Sequence, residues 1–100
     1  MAKSKTSVLF VCLGNICRSP AAEGTFLHLL KEQGLERQFR VDSCGTSAYH
    51  IGEPANRNAQ RVATRYGIHL PSHARQFQRS DFAEFDYIFA MDQSNYEDLV

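Results

Sequence analysis

A cysteine and an arginine separated by five residues are the feature of this sequence best suited to chemistry. Cys12 ends an apolar run, and Arg18 is followed at once by a serine and a proline. A cysteine thiolate is a strong nucleophile, whereas the planar guanidinium of arginine can bind two oxygens of one oxyanion. The pair therefore predicts nucleophilic attack on a phosphoryl group, with Arg18 neutralising the charge that develops as the ester bond breaks.

The segment between the two residues can wrap around the same oxyanion. Gly14 and Asn15 both tolerate a positive φ, so successive backbone N–H groups can turn toward one centre. A helix that starts directly after the segment adds the positive end of its dipole. These groups would also stabilise Cys12 as a thiolate, and Ser19 Oγ can donate a hydrogen bond to the sulfur. The predicted phosphate-binding loop is Leu13, Gly14, Asn15, Ile16, Cys17 and Arg18.

A strand and a helix are predicted on either side of this loop. The run Thr6–Cys12 is rich in β-branched and aromatic residues, which is typical of a strand buried on both faces. Ser19 and Pro20 are typical of a helix start, with Ser19 as the cap and Glu23 in the first turn. Gly34 supplies a left-handed stop. The apolar face predicted for this helix is Ala22, Phe26, Leu29 and Leu30.

Strands and helices then continue to alternate. A second strand is predicted at residues 39–43, running into Cys44 and Gly45, and a buried third strand at residues 86–90. A helix closed by Gly67 lies between them, and shorter helices are predicted at residues 80–85 and 93–99. The apolar face of the longer helix is Ala59, Val62, Ala63 and Tyr66. This alternation predicts one α/β domain over residues 1–100, with a parallel sheet and helices on both faces.

The composition excludes several classes of protein. Lysine plus arginine and aspartate plus glutamate both total 11, so no nucleic-acid or anionic-membrane partner is expected. No apolar run reaches the roughly 18 residues of a membrane span, and no signal-peptide cleavage site is evident. Three cysteines are too few for a disulfide scaffold, which favours a cytoplasmic location. Cys12 and Cys17 lack the further ligands that zinc needs, so no metal or cofactor is predicted.

The residues around the predicted loop resemble those of a known family. The run VCLGNICRSP at residues 11–20 is similar to the active-site loop of the low molecular weight protein tyrosine phosphatases. The similarity continues through further segments and covers nearly the whole sequence. The further similar segments are residues 42–43, residues 45–46 with Tyr49, and residues 72–76, 85–88 and 91–95. The resemblance implies a three-layer sandwich, in which helices flank a central parallel sheet of flavodoxin-like strand order.

The resemblance also implies roles for the site residues. Cys12 is the implied nucleophile, which forms a phosphocysteine intermediate, and Arg18 binds the phosphoryl group. The implied substrates are phosphotyrosine in proteins and small aryl phosphate monoesters, with inorganic phosphate or another oxyanion as a further loop ligand. Asn15 is implied to hold a strained conformation, and Cys17 to be the redox partner of Cys12. The implied support for Asn15 is Ser19, Ser43 and His73, and the implied pocket wall is Leu13, Ile16 and Tyr49.

The sequence departs from the family at the general acid. The family protonates the departing phenolate from an aspartate in an Asp-Pro-aromatic loop, but none of the five aspartates here precedes a proline. We therefore expect the acid, together with the last strand and last helix of the fold, beyond Val100, and we interpret the sequence as a fragment. Asp92 is the in-chain candidate for a replacement acid, although a helix cap is the favoured interpretation of this residue.

Two other functions stay open at this stage. A phosphate- or phosphotyrosine-binding module would use the same loop without turnover, but it would have no need of an activated thiol. A thiol-dependent arsenate reductase has a similar loop but relays electrons through two later cysteines, and no cysteine follows Cys44 here. A cysteine-dependent phosphatase is therefore the predicted function.

Overall fold

The computed structural model describes residues 5–99. Three strands and four α-helices follow one another along the chain, with one short 3₁₀ turn before the second strand. They are β1 (Thr6–Cys12), α1 (Arg18–Glu32), the 3₁₀ turn (Glu36–Gln38), β2 (Phe39–Gly45), α2 (Arg57–Arg65), α3 (Asp81–Glu84), β3 (Tyr87–Ala90) and α4 (Gln93–Leu99). No helix in this part of the chain is both long enough and apolar enough to cross a bilayer.

The three strands form one parallel sheet in the order β2-β1-β3. All seven residues of β1 pair with β2, from Thr6 opposite Phe39 to Cys12 opposite Gly45. The predicted parallel α/β architecture is therefore confirmed, and the strand order is that of the first three strands of a flavodoxin-like sheet. The carboxyl ends of β1 and β2 lie side by side, so the loop after Cys12 starts against the end of β2.

Each face of the sheet is covered by different elements. On one face, the ring of Phe26 in α1 contacts those of Phe10 and Phe39 edge to face, with centroids 5.9 and 5.7 Å apart. On the other face, Leu9 and Val11 are fully buried and pack in a core with residues from β2, β3, α4 and the segments before α3 and β3. The further residues of this core are Cys44, Phe85, Phe77, Ile88 and Leu99.

Several predicted apolar positions are exposed. Tyr87 and Phe89 of β3 are 56% and 48% exposed, so the prediction of a fully buried third strand is wrong. Only the alternate residue Ile88 points into the core, because successive side chains of a strand point to opposite faces. Leu29 of α1 and Val62 of α2, which were predicted on the apolar faces of their helices, are each 50% exposed.

The predicted helix ends are confirmed by backbone conformation. Gly34 follows α1 with φ of 70°, and Gly67 follows α2 with φ of 71°. These are left-handed conformations that a side chain would strain, which explains why glycine stands at both positions. The two stops free the chain to return to the sheet after each helix.

Candidate active site

The loop between β1 and α1 turns on a single left-handed residue. Asn15 has φ of 58°, the only positive φ of a non-glycine residue among those described. Asparagine tolerates this region better than most residues, so the predicted strain at Asn15 is present. Gly14 also tolerates a positive φ but does not adopt one. A Cβ at Gly14 would lie 2.9 Å from Cδ2 of His50, so a larger residue there would displace the partly exposed His50 side chain.

The loop carbonyl groups point outward. The oxygens of Cys12 and Leu13 accept the backbone N–H groups of Thr46 and Ser47, each at 2.9 Å. The oxygen of Ile16 accepts a backbone N–H from the residue before α2, at 2.5 Å. Because these three carbonyl groups are held by neighbouring segments, the loop can present backbone N–H groups to a bound anion. This is the backbone arrangement that binds a tetrahedral oxyanion.

Close contact with β2 sets the position of the loop. A Cβ at Gly45 would lie 2.6 Å from the carbonyl oxygen of Leu13 and 3.0 Å from the backbone nitrogen of Asn15. Any larger residue at the end of β2 would therefore push the loop away from the sheet. This requirement was not evident from the sequence, where Gly45 was simply the end of a strand.

The Cys12 thiol is buried and hydrogen-bonded. Its Sγ accepts the backbone N–H of Asn15 at 3.2 Å and lies 3.0 Å from Ser19 Oγ. Ser19 Oγ also lies 3.3 Å from the carbonyl oxygen of Cys44, so one hydroxyl proton has two acceptors within reach. When the Ser19 hydroxyl donates to the sulfur, it stabilises Cys12 as a thiolate. When it donates to the carbonyl, Ser19 Oγ can instead accept a hydrogen bond from the Cys12 thiol.

Ser19 is not the cap of α1. The helix begins at Arg18 with Cys17 at the capping position, and no side chain caps it. Pro20 is tolerated in this first turn because its missing N–H would have no acceptor within the helix. The unsatisfied N–H groups of the turn therefore remain beside the loop, where a bound anion can accept from them.

The Asn15 side chain joins three parts of the chain at the base of the loop. Its Nδ2 donates to Ser19 Oγ at 2.8 Å and to Ser43 Oγ at 3.0 Å, and its Oδ1 accepts the backbone N–H of Arg75 at 3.0 Å. Asn15, Ser19 and Ser43 are all at most 1% exposed. Fully satisfied polar networks of this kind hold one conformation rigidly, so the strained loop is held in place before any ligand arrives.

Arg18 points from the loop toward α4. Its Nη1 lies 2.6 Å from Oδ2 of Asp92, and Nη2 makes a longer contact of 3.5 Å with Oδ1 of Asn95. Asp92 also accepts the backbone N–H of Asn95 at 2.8 Å, which is the predicted helix cap. These two hydrogen bonds, first that from Arg18, lower the pKa of Asp92. An aspartate that is ionised and paired is a poor proton donor, so Asp92 does not fit the role of replacement acid.

Known proteins resemble this chain in sequence and in structure. Residues 7–100 match the family described as low molecular weight phosphotyrosine protein phosphatase. The chain belongs to this family. Members from Pongo abelii and Homo sapiens are 53% and 52% identical to it over 100 residues. The crystal structure of YfkJ from Bacillus subtilis superposes with a TM-score of 0.94 at 46% identity and covers 99% of the chain.

The match covers only part of the length of each relative. The chain spans 63% of the length of each of the two vertebrate phosphatases and 63% of the YfkJ chain. Within that part, the similarity runs through the loop, the three strands and the segment that supplies the Arg75 backbone N–H. The residues of the site described above therefore all lie within the part of the chain that matches the family.

One residue expected from the resemblance lies elsewhere. His73 is exposed, and its backbone forms an isolated bridge with Pro54, so it is not part of the Asn15 network. Ser72 and Glu23 lie there instead, with Ser43 Oγ donating to Glu23 at 2.6 Å and lying 3.4 Å from Ser72 Oγ. The chain turns at this point so that the side chain before His73 faces the network, which sequence spacing alone does not reveal.

Glu23 differs from its prediction in the same way. It was expected in the first turn of α1, where it would suit the helix dipole, but that turn contains no acidic residue, and Glu23 is 4% exposed and accepts a hydrogen bond from Ser43 of β2. Burial raises the pKa of the Glu23 carboxyl, and the hydrogen bond from Ser43 opposes this shift. A carboxyl group that is hard to ionise therefore lies at the end of the Asn15 network.

The three residues predicted to line the pocket lie in the loop and in a segment that is hydrogen-bonded to it. Leu13 is half exposed, and Ile16 is partly buried. Tyr49 is 80% exposed, in the segment whose Ser47 N–H binds Leu13. Cys17 is exposed, whereas Cys12 and Cys44 are buried. None of these three cysteines forms a disulfide.

An ion cluster beneath the loop was not predicted at all. The Arg75 guanidinium contacts Asp42 through Nε at 3.1 Å and both oxygens of Asp81 through its two terminal nitrogens at 3.0 and 3.1 Å. Burial lowers the pKa of Arg75. The hydrogen bond to Asp81 and the charge of Asp42 raise this pKa by more, so it lies above its ordinary value. The three residues lie 33 and 6 positions apart in sequence, so no local charge pattern indicates that they meet.

Proposed function

We propose that this protein hydrolyses aryl phosphate monoesters, including phosphotyrosine in proteins, through a phosphocysteine intermediate on Cys12. The observation that carries the proposal is the position of the sulfur. Cys12 Sγ lies at the end of β1, 3.2 Å from the Asn15 nitrogen and 3.0 Å from Ser19 Oγ, at the base of the loop that leads into α1. Membership of the phosphotyrosine protein phosphatase family supports the same function.

In the first step, the Cys12 thiolate attacks phosphorus as the loop N–H groups hold the three terminal phosphoryl oxygens. The S–P bond forms, the P–O bond to the phenol breaks, and the phenolate leaves with the bonding electron pair. Charge that builds up on the phosphoryl oxygens is stabilised by the loop dipoles and by Arg18. The Ser19 hydroxyl stabilises the thiolate before the attack, and stabilises it again when it is released.

In the second step, water attacks the phosphorus of phosphocysteine, and the S–P bond breaks to give inorganic phosphate and the Cys12 thiolate. Both steps are helped by a general acid and base, a contribution of about 10² to 10⁴-fold. Asp92 is ionised and paired with Arg18, so it supplies no proton to the departing phenolate. We therefore expect this 100-residue chain to hydrolyse esters of acidic phenols far faster than esters of ordinary phenols.

The test compares two aryl phosphates, one with an activated phenol and one with an unactivated phenol, with Cys12→Ser as the blank. We expect turnover of the activated ester that is lost in the blank. Trapping of phosphocysteine by acid quench and mass spectrometry should place the phosphoryl group on Cys12. Hydrolysis that survives in Cys12→Ser would overturn the covalent mechanism. Tight binding of phosphate or vanadate with no turnover of either ester would instead favour a phosphate-binding module.

The cysteines support two further parts of the proposal. We propose that the protein works in the reducing cytoplasm and that Cys17 forms a disulfide with Cys12 after oxidation. Cys17 is exposed and five positions from Cys12, so both thiols belong to one short loop. Burial raises the pKa of the Cys44 thiol to about 12, which leaves that residue unreactive near neutral pH. Peroxide treatment followed by peptide mapping should therefore show a 12–17 disulfide, and a 12–44 disulfide would contradict the proposal.

A further inference from the structure

Helix α2 carries an unbalanced positive charge. Arg57, Arg61 and Arg65 repeat at a spacing of four, and no acidic residue occurs in the helix. All three are exposed, and no ion pair joins any of them to another residue of the range 5–99. The chain as a whole has equal numbers of basic and acidic residues, so the positive charge of α2 is a local excess. We call these three residues the arginine stripe.

Neither helix stability nor packing accounts for the stripe. Like charges four residues apart lie on one side of a helix and repel each other, which weakens the helix. A glutamate four residues from an arginine would offset this repulsion, but α2 contains no glutamate. No residue of α2 is buried, so the arginines do not anchor the helix to the rest of the protein either. The stripe is therefore a positively charged surface that is exposed to solvent.

The stripe begins at the edge of the predicted phosphate-binding loop. The backbone N–H of Asn56 donates to the carbonyl oxygen of Ile16 at 2.5 Å, and Asn56 Oδ1 caps α2 by accepting the N–H of Asn58 at 2.9 Å. Ile16 and Arg57 line the same open cavity of about 440 Å³. The carboxylate on that cavity, Glu53, lies 3.0 Å from Nδ1 of His50. A ligand that leaves the loop through this cavity therefore passes both Arg57 and Glu53.

We propose that the arginine stripe binds an acidic, extended segment of the phosphoprotein substrate next to its phosphotyrosine. This inference rests on the proposed function, since the phosphotyrosine in the loop aligns the segment. Arginines four residues apart lie about 6 Å apart along the helix axis. Alternate side chains of an extended peptide lie about 6.6 Å apart, so carboxylates at alternate positions match the stripe. A stripe about 12 Å long, on a chain of zero net charge, is a small target for a membrane or nucleic acid.

The test measures the affinity of the Cys12→Ser protein for two fluorescent phosphotyrosine peptides by anisotropy. One peptide has aspartate at three alternate positions on one side of the phosphotyrosine, and the other has asparagine at those positions. We expect the aspartate peptide to bind about tenfold more tightly at low salt, and the preference to fade between about 0.05 M and about 0.5 M salt. The triple variant R57Q/R61Q/R65Q should lose the preference and keep the affinity for the asparagine peptide.

Two further variants make the test specific. The triple variant K31Q/R37Q/R79Q removes the same charge from exposed positions outside α2 and should keep the preference. The reversed variant R57E/R61E/R65E should prefer a peptide with lysine at the three positions. Circular dichroism of each variant checks that it is folded.

Three outcomes would overturn the inference. They are equal affinity for the two peptides, a preference that survives in R57Q/R61Q/R65Q, and a preference that is lost in K31Q/R37Q/R79Q. Stripe-dependent binding to phosphatidylserine vesicles, without any peptide preference, would assign the stripe to a lipid surface and also overturn it. Because Cys12→Ser does not turn over, these results are separate from the hydrolysis assay, which alone decides the proposed function.

Discussion

The backbone N–H of Arg75 donates to Oδ1 of Asn15 at 3.0 Å, and this bond joins two residues that are 60 positions apart. It completes the set of partners that holds the one left-handed asparagine of the loop. The base of the phosphate-binding loop is thus built from β2 and from the segment before α3, and not from the loop sequence alone.

The first prediction separates the conformation of Asn15 from its hydrogen bonds. Asn15→Gly keeps the positive φ but loses the side chain, which leaves the buried hydroxyls of Ser19 and Ser43 and the Arg75 N–H without this partner. We expect a loss of about 2 to 4 kcal/mol in the free energy of unfolding in urea. Asn15→Ala adds the left-handed strain, roughly 1 kcal/mol more. Phosphate affinity should fall in both variants, and an Asn15→Ala protein as stable as Asn15→Gly would contradict the strain.

The second prediction concerns the ion cluster. Arg75→Met removes the guanidinium and leaves Asp81, whose side chain is 5% exposed, without its bidentate partner. Breaking such a pair costs about 3 kcal/mol of stability, because an uncompensated charge stays buried. The matched control is Glu84→Gln, which breaks the exposed ion pair with Arg40 and should cost less than about 1 kcal/mol. Equal losses in urea unfolding would show that Arg75 contributes no more than a surface pair.

The third prediction follows from the buried carboxyl of Glu23. Because burial raises its pKa above the ordinary value of 4.5, the folded protein favours the protonated form. The stability contributed by this group is therefore fully present below its unfolded pKa and lost as the pH rises through its folded pKa. Glu23→Gln removes the titration and can still accept the Ser43 hydrogen bond. The variant should gain stability relative to the unmodified chain as the pH rises from 4.5 toward neutrality.

Urea unfolding of both proteins across this pH range measures the difference. Glu36→Gln, which changes an exposed glutamate, is the control and should show no comparable trend. A stability difference between Glu23→Gln and the unmodified chain that stays constant with pH would exclude the buried titration.

The fourth prediction concerns Asp92 and its ion pair with Arg18. Asp92→Asn removes a negative charge that competes with a bound anion for the guanidinium, and asparagine can still cap α4. We expect phosphate to bind several-fold more tightly, an effect that salt should weaken. Isothermal titration with inorganic phosphate measures it. Hydrolysis of the unactivated aryl phosphate should not fall, whereas a loss of about 10²-fold or more would restore Asp92 as the acid.

Local sequence patterns were enough to predict most of the elements. The bounds of β1 and α4 agree with the structure residue by residue, because the β-branched run before Cys12 and the spacing near the end of the chain are local signals. The stops at Gly34 and Gly67 were equally visible, since a left-handed residue after a helix needs no distant partner. Burial was harder: Tyr87 and Phe89 were expected inside and lie at the surface.

The sequence by itself determined the chemistry of this protein: a thiol at a strand end, an arginine at the start of a helix, and between them a loop that can turn its N–H groups toward an oxyanion. Only the tertiary structure decided which residues support that loop. Glu23, Ser72 and Arg75 meet Ser43 and Asn15 across chain separations of 20 to 60 residues, and His73 turns away. Residue type and local spacing decide what a group can do, whereas the packing of parallel strands decides which groups meet, because it joins segments that are distant in sequence.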